Sequence, residues 1–115
     1  MTAFQKRVRV LTQGWKACVR AGLAITPGQF LVLCDIIAHP EPDSARRRSK
    51  RLRLSQPLVS GAQRALERLG LIRLAMPIVW RAPGIRMVVY AKATTAALKL
   101  FGMRQPRNTH EHDQL

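Results

Sequence analysis

The stretch that most constrains the fold is LSQPLVSGAQRALERLGLI, residues 54–72. Ser55 is a strong helix N-cap, and Pro57 falls in the first turn, where a missing N–H costs nothing. Gly70 follows the last apolar position and can close the helix in the left-handed conformation. Between these signals, Val59, Ala62, Leu66 and Leu69 recur at intervals of three and four, so they share one face and read as core. The opposite face carries Pro57, Ser60, Gly61, Arg64 and Arg68, with Gln56 and Glu67 at its margins. Small residues at 60 and 61 allow close approach to a bulky partner. An arginine at 64 can give paired hydrogen bonds to a guanine edge or to a phosphate. A helix that enters a nucleic-acid groove needs this combination.

The same residues carry a family resemblance. Leu54, Ser55, Gln56, Pro57, Val59, Ser60, Arg64, Leu66, Leu69, Gly70 and Leu71 match the recognition-helix pattern of winged helix-turn-helix regulators. The pattern resembles above all the MarR-like family, and weaker similarity runs from about Thr26 to Gly102. There are three departures. Gly61 stands where the family often has Arg, Thr or Lys. Arg53 stands where the turn between the two helices usually has Gly, and Arg48 where the preceding helix usually has an apolar residue. The resemblance implies sequence-specific binding of double-stranded DNA and control of transcription, usually as a repressor. It also implies a two-fold homodimer.

Charge supports a polyanionic partner independently. The 115 residues hold 20 Lys+Arg against 6 Asp+Glu, a formal net charge of +14. Such an excess is an argument about partners rather than about fold. Length suits one domain, and 47% apolar residues with only 5% aromatic predict an aliphatic core. Cys18 and Cys34 fall on apolar faces of predicted helices, so buried reduced thiols are expected ahead of a disulfide. No apolar run approaches the length of a membrane span and no secretory leader is visible, which predicts a cytoplasmic protein with no membrane partner.

Upstream of the central stretch, Phe4, Val8, Leu11, Trp15 and Cys18 form a narrow seam on a helix predicted over 3–21, with Gly14 weakening it slightly and Gly22 ending it. The seam fits either packing within the domain or a dimer interface built on Phe4, Val8, Leu11 and Trp15. Thr26, Pro27 and Gln29 open a second helix with a capping box. Its expected buried stripe is Phe30, Leu33, Cys34 and Ile37, with Leu31 and Ile36 beside it. His39 reads as a surface histidine at that helix's end. Residues 44–53, SARRRSKRLR, bring six basic residues and no acid. On a helix, Ala45, Ser49 and Leu52 face the central helix while Arg46, Arg47, Lys50 and Arg51 point elsewhere. With Arg48 and Arg53 they make a cluster expected on DNA phosphates.

Downstream, residues 71–74 and 85–91 read as two strands joined through PIVWRAPG, with a turn at Pro83-Gly84. A hairpin here is a wing. Arg81 and Arg86 flank its tip, and Trp80 is expected to pack its base. The resemblance lends a wing role to Arg86, although the Asp usual beside it is absent. Thr94 or Thr95 caps a last helix with Ala97, Leu98 and Phe101 on its apolar side. Residues 104–115 read as a flexible polar tail, and His110 and His112 match no closed metal site.

The expectation is therefore a mainly α winged helix-turn-helix with a small β-hairpin, one domain over 1–103. Ser55, Gln56, Pro57, Ser60, Gly61, Arg64 and Arg68 would face the major groove. Arg46, Arg47, Lys50, Arg51 and Arg53 would meet phosphates, and Arg81 and Arg86 the adjacent minor groove. Rival readings are a phage- or plasmid-type DNA-architectural, excision or replication factor, and a winged-helix RNA or protein adaptor. No nucleophile–base pair, carboxylate pair or phosphate-binding Gly loop is visible, so no enzyme, cofactor or metal is expected. No residue indicates a small-molecule effector.

Overall fold

The computed structural model describes residues 2–41, 43–75, 78–81, 84–87 and 90–103, with 78–81 and 84–87 described through their backbone alone. Five helices and four short strands follow in order: α1 Ala3–Arg20, α2 Pro27–Ala38, α3 Ala45–Leu52, α4 Gln56–Arg68, β1 Ile72–Ala75, β2 Ile78–Arg81, β3 Gly84–Met87, β4 Tyr90–Ala93 and α5 Thr95–Leu100.

Each helix begins on a hydroxyl cap. Thr2, Thr26, Ser44, Ser55 and Thr94 all accept a hydrogen bond from a first-turn backbone N–H. Thr26 and Gln29 complete the expected capping box, and Thr2 with Gln5 makes a second one that was not foreseen. Gly22, Gly70 and Gly102 stop three of the helices at positive φ. The turn between α3 and α4 is different. Arg53 caps α3 at φ 57°, ψ 41°, a left-handed conformation that a side chain makes unfavourable.

The core lies between α2, α4 and the base of the hairpin. It comprises Val32, Leu33 and Ile36 of α2, Val59, Ala62 and Leu66 of α4, then Leu71, Ile72 and Ala91, closed by Cys18, Phe30, Ala97 and Phe101. The α4 face is the one its spacing predicts, with Leu69 half-buried at its end. The α2 stripe is met only in part, with Phe30 and Leu33 buried as expected. Val32 and Ile36 are buried with Asp35, while Leu31 is 50% exposed and Cys34 and Ile37 are only half-buried. Apart from Asp35, α2 is apolar on almost every side, so periodicity alone does not select a face. Three of the six aromatic residues gather at one joint. Trp15 meets Phe30 edge-on at 5.2 Å between centroids, and Phe30 stacks on Phe101 at 5.7 Å. Gly14 belongs to this joint: a Cβ there would lie 2.3 Å from Phe101 Cε1. The sequence reading took Gly14 only as a weak spot in the helix, whereas packing demands it.

The hairpin is longer than expected. β1 pairs antiparallel with β4, Ile72 opposite Ala93, and β2 pairs with β3, Ile78 opposite Met87. Ile78, Val79 and Trp80, read from sequence as connecting chain because of Pro77, lie in a strand instead. Their β-branched and aromatic character prevails, and a proline just ahead of a strand is tolerated. The returning chain is likewise paired as far as Ala93 rather than ending at 91.

Candidate nucleic-acid interface

Helices α3 and α4 stand side by side across the Arg53 turn, and α4 presents the face opposite its core residues to solvent. Ser55, Gln56, Pro57, Gly61, Arg64 and Arg68 are all exposed there, and Ser60 is partly so. Gly61 sits mid-helix in open space, with no heavy atom within 4 Å of where a Cβ would be. The helix N-terminus at Ser55 lies beside this face, with its first-turn N–H groups and positive dipole end. The arrangement can donate hydrogen bonds to acceptors on a groove floor while its slender middle admits close backbone approach.

The basic cluster divides. Arg46, Arg47, Lys50 and Arg53 are exposed, and none forms an ion pair among the described residues. Arg48 turns inward, which corrects its expected place in the phosphate cluster, while Arg51 stays partly exposed but is held by two carboxylates. Arg51 donates from Nε to Asp35 Oδ1 at 2.8 Å, and from Nη2 to Asp35 Oδ2 at 2.8 Å and Asp43 Oδ2 at 2.6 Å. Arg48 is fully buried. Its Nε donates to Asp35 Oδ2 at 2.8 Å and its Nη1 to Gln63 Oε1 at 2.7 Å. Burial alone would raise the Asp35 carboxyl, but hydrogen bonds and charge from Arg51 and Arg48 outweigh it and hold Asp35 below the ordinary carboxylate value. The same hydrogen bonds to Asp35 and Asp43 push Arg51 further up. Asp35 and Asp43 thus pair with Arg48 and Arg51, and the other cations of α3 and its cap have no ion-pair partner among the described residues.

Asp35 and Gln63 were missed by sequence reasoning. A signal existed for their partner, because Ala45, Arg48, Ser49 and Leu52 share the helical spacing that turns inward. An arginine in such a position needs a buried acceptor, and Asp35 is the one acid in α2.

Arg81 closes β2 opposite Gly84, and Arg86 lies opposite Val79, so both belong to the outer ladder of the hairpin. The expected packing of Trp80, like the 104–115 tail with His110 and His112, lies outside what is described. On α1, Phe4 is 73% exposed, Val8 44% and Leu11 42%. Trp15 is committed to the aromatic joint, so the open part of the seam is Phe4, Val8 and Leu11. Cys18 and Cys34 are free thiols, and no described helix is long and apolar enough to cross a membrane.

No protein-family model matches the chain, and no curated protein matches it in sequence. Solved structures do resemble it. The ST1889 protein of the archaeon Sulfolobus tokodaii aligns at TM-score 0.58 and 19% identity, over 77% of this chain and 80% of that one. A variant of Staphylococcus aureus MepR bound to an oligodeoxyribonucleotide aligns at 0.57 and 24% identity, over 86% and 68%. MepR itself, a transcription regulator of that organism's multidrug efflux pump MepA, aligns at 0.52 and 23% identity, over 89% and 72%. From its helix order, its hairpin and these likenesses, the chain has the winged helix-turn-helix fold of MarR-like transcription regulators.

Proposed function

We propose that the protein binds double-stranded DNA sequence-specifically and regulates transcription, as a repressor. The observation that carries this reading is the α4 face: Gln56, Gly61 and Arg64 stand open beside the helix N-terminus with Ser60 partly so, flanked by Arg46, Arg47, Lys50 and Arg53, which have no ion pair among the described residues. In this reading α4 lies in the major groove, with Arg64 at a base edge, and the flanking cations meet phosphates. Arg81 and Arg86, on the outer ladder, reach the adjacent minor groove. Two copies joined through Phe4, Val8 and Leu11 would read half-sites about one helical turn apart.

The test is Kd against salt, on a duplex selected from random sequence and on a scrambled one. Arg47→Ala and Lys50→Ala should weaken both and each lower the salt slope by roughly one unit. Arg64→Ala should cost about 1–3 kcal/mol on the selected duplex and far less on the scrambled one. Equal loss on both would make Arg64 a phosphate contact and misplace the reading face. Light scattering that found only monomer, free and on DNA, would remove the dimer.

A further inference from the structure

Arg48 occupies a helical position where an apolar residue would do, yet it is the largest fully buried side chain among the described residues. Its rigid guanidinium joins three helices. Nε binds Asp35 on α2, Nη1 binds Gln63 on α4, and its own backbone belongs to α3. Gln63 is 3% exposed and is the residue immediately before Arg64. The arrangement is a poor stabiliser. Burying a charged group costs heavily even when paired, and Nη2 has no hydrogen-bond partner among the described residues. Direction is what it supplies. The α4 core face is built from Val59, Ala62 and Leu66, slender aliphatic side chains that tolerate small rotations and slides. A hydrogen bond to a planar donor fixed on another helix does not. Since side chains reach about 5–6 Å from a helix axis, a 20° turn of α4 would move their tips by about 2 Å. A recognition constellation tolerates about 0.5 Å.

We propose that Asp35, Arg48 and Gln63 form a positioning network that fixes the rotation of α4 about its axis. Asp35 is held in turn by Arg51 on α3, so the plane of Arg48 is braced from both sides. Through Gln63 the network sets where Gln56, Ser60 and Arg64 point. As a determinant of sequence discrimination it rests on the DNA-binding role proposed above. As an alignment device it can be examined in the free protein.

The experiment compares wild type with the double variant Arg48→Met/Gln63→Leu, which fills the same space with apolar groups and leaves Asp35 paired to Arg51. A single variant, Gln63→Glu, keeps the acceptor. Three quantities are read: melting temperature, backbone 15N relaxation dispersion over residues 56–68, and the ratio of affinities for selected and scrambled duplexes. The double variant should melt close to wild type, show exchange broadening along α4, and lose at least tenfold of its discrimination. Gln63→Glu should keep a single α4 conformation and its discrimination. A double variant with an α4 as uniform as wild type overturns the proposal. So does a Gln63→Glu protein that loosens as much as the double variant. If α4 loosens in the double variant but wild type itself prefers no duplex, the positioning network stands and the DNA-binding role falls.

Discussion

Replacing Gly61 with alanine should make the protein more stable. Glycine in the middle of a helix loses more backbone freedom on folding than alanine and costs about 0.5–1 kcal/mol relative to it. That gain is often cancelled by crowding, as at Gly14, but Gly61 has no heavy atom within 4 Å of the Cβ position and its φ is not in the left-handed region. For a domain of this size, about 0.5–1 kcal/mol corresponds to about 2–8 °C in Tm. Gly61 also lies midway along the exposed face, between Pro57 and Arg64. If α4 docks there by close approach, the added methyl group should weaken duplex binding about tenfold, or about 1.4 kcal/mol. Thermal denaturation followed by circular dichroism gives the first number and titration of the selected duplex the second. An unchanged or lower Tm would refute the claim that the fold has no use for this glycine. A raised Tm with unchanged affinity would place the contact elsewhere along the helix.

Gly14→Ala should act in the opposite sense, destabilising by about 1–3 kcal/mol because the new methyl group meets the Phe101 ring, and Phe101→Leu in the same chain should restore part of the loss in a denaturant titration. Asp35 is depressed in the folded protein, so its contribution to stability is complete above its unfolded pKa of about 3.9 and is lost as pH falls through the lower folded value. Melting curves across that window should therefore show a steeper acid limb in wild type than in Asp35→Asn, and equal slopes would refute it. The Cys34 thiol is pushed up to about 12 by burial, with the neighbouring Cys18 and Asp35 adding to it. Iodoacetamide at pH 8 should modify it at least tenfold more slowly than free cysteine, and labelling at the free rate would contradict that burial.

Much of the fold is written in local signals. The caps Thr26 and Ser55, the left-handed stop at Gly70 and the α4 core face all depend on residues a few positions apart, and these were legible. What escaped depends on partners distant in sequence. The face of α2 is decided by where Asp35 finds Arg48 and Arg51, because the rest of that helix is apolar nearly all round. Gly14 is explained only by Phe101. For the interface, charge and spacing placed Arg46, Arg47, Lys50 and Arg64 at the surface. Local reasoning places Arg51 at the surface, where it is, but misses its ion pairs, because one of its two carboxylate partners lies on another helix.

Trp15 lies on α1, Phe30 on α2 and Phe101 at the C-cap of α5, so their stack can form only once remote segments of the chain have met. Helices α2, α3 and α4 follow one another closely and pack on each other directly. Contacts that close long loops bear the full entropy of closure before they return any favourable energy, so they belong late in folding. The expected order is that the helix-turn-helix forms first and that α1 and the end of α5 dock onto Phe30 of α2 last. On unfolding the order reverses, and amide hydrogens of α1 and α5 should exchange with solvent through partial openings that leave α2 and α4 protected.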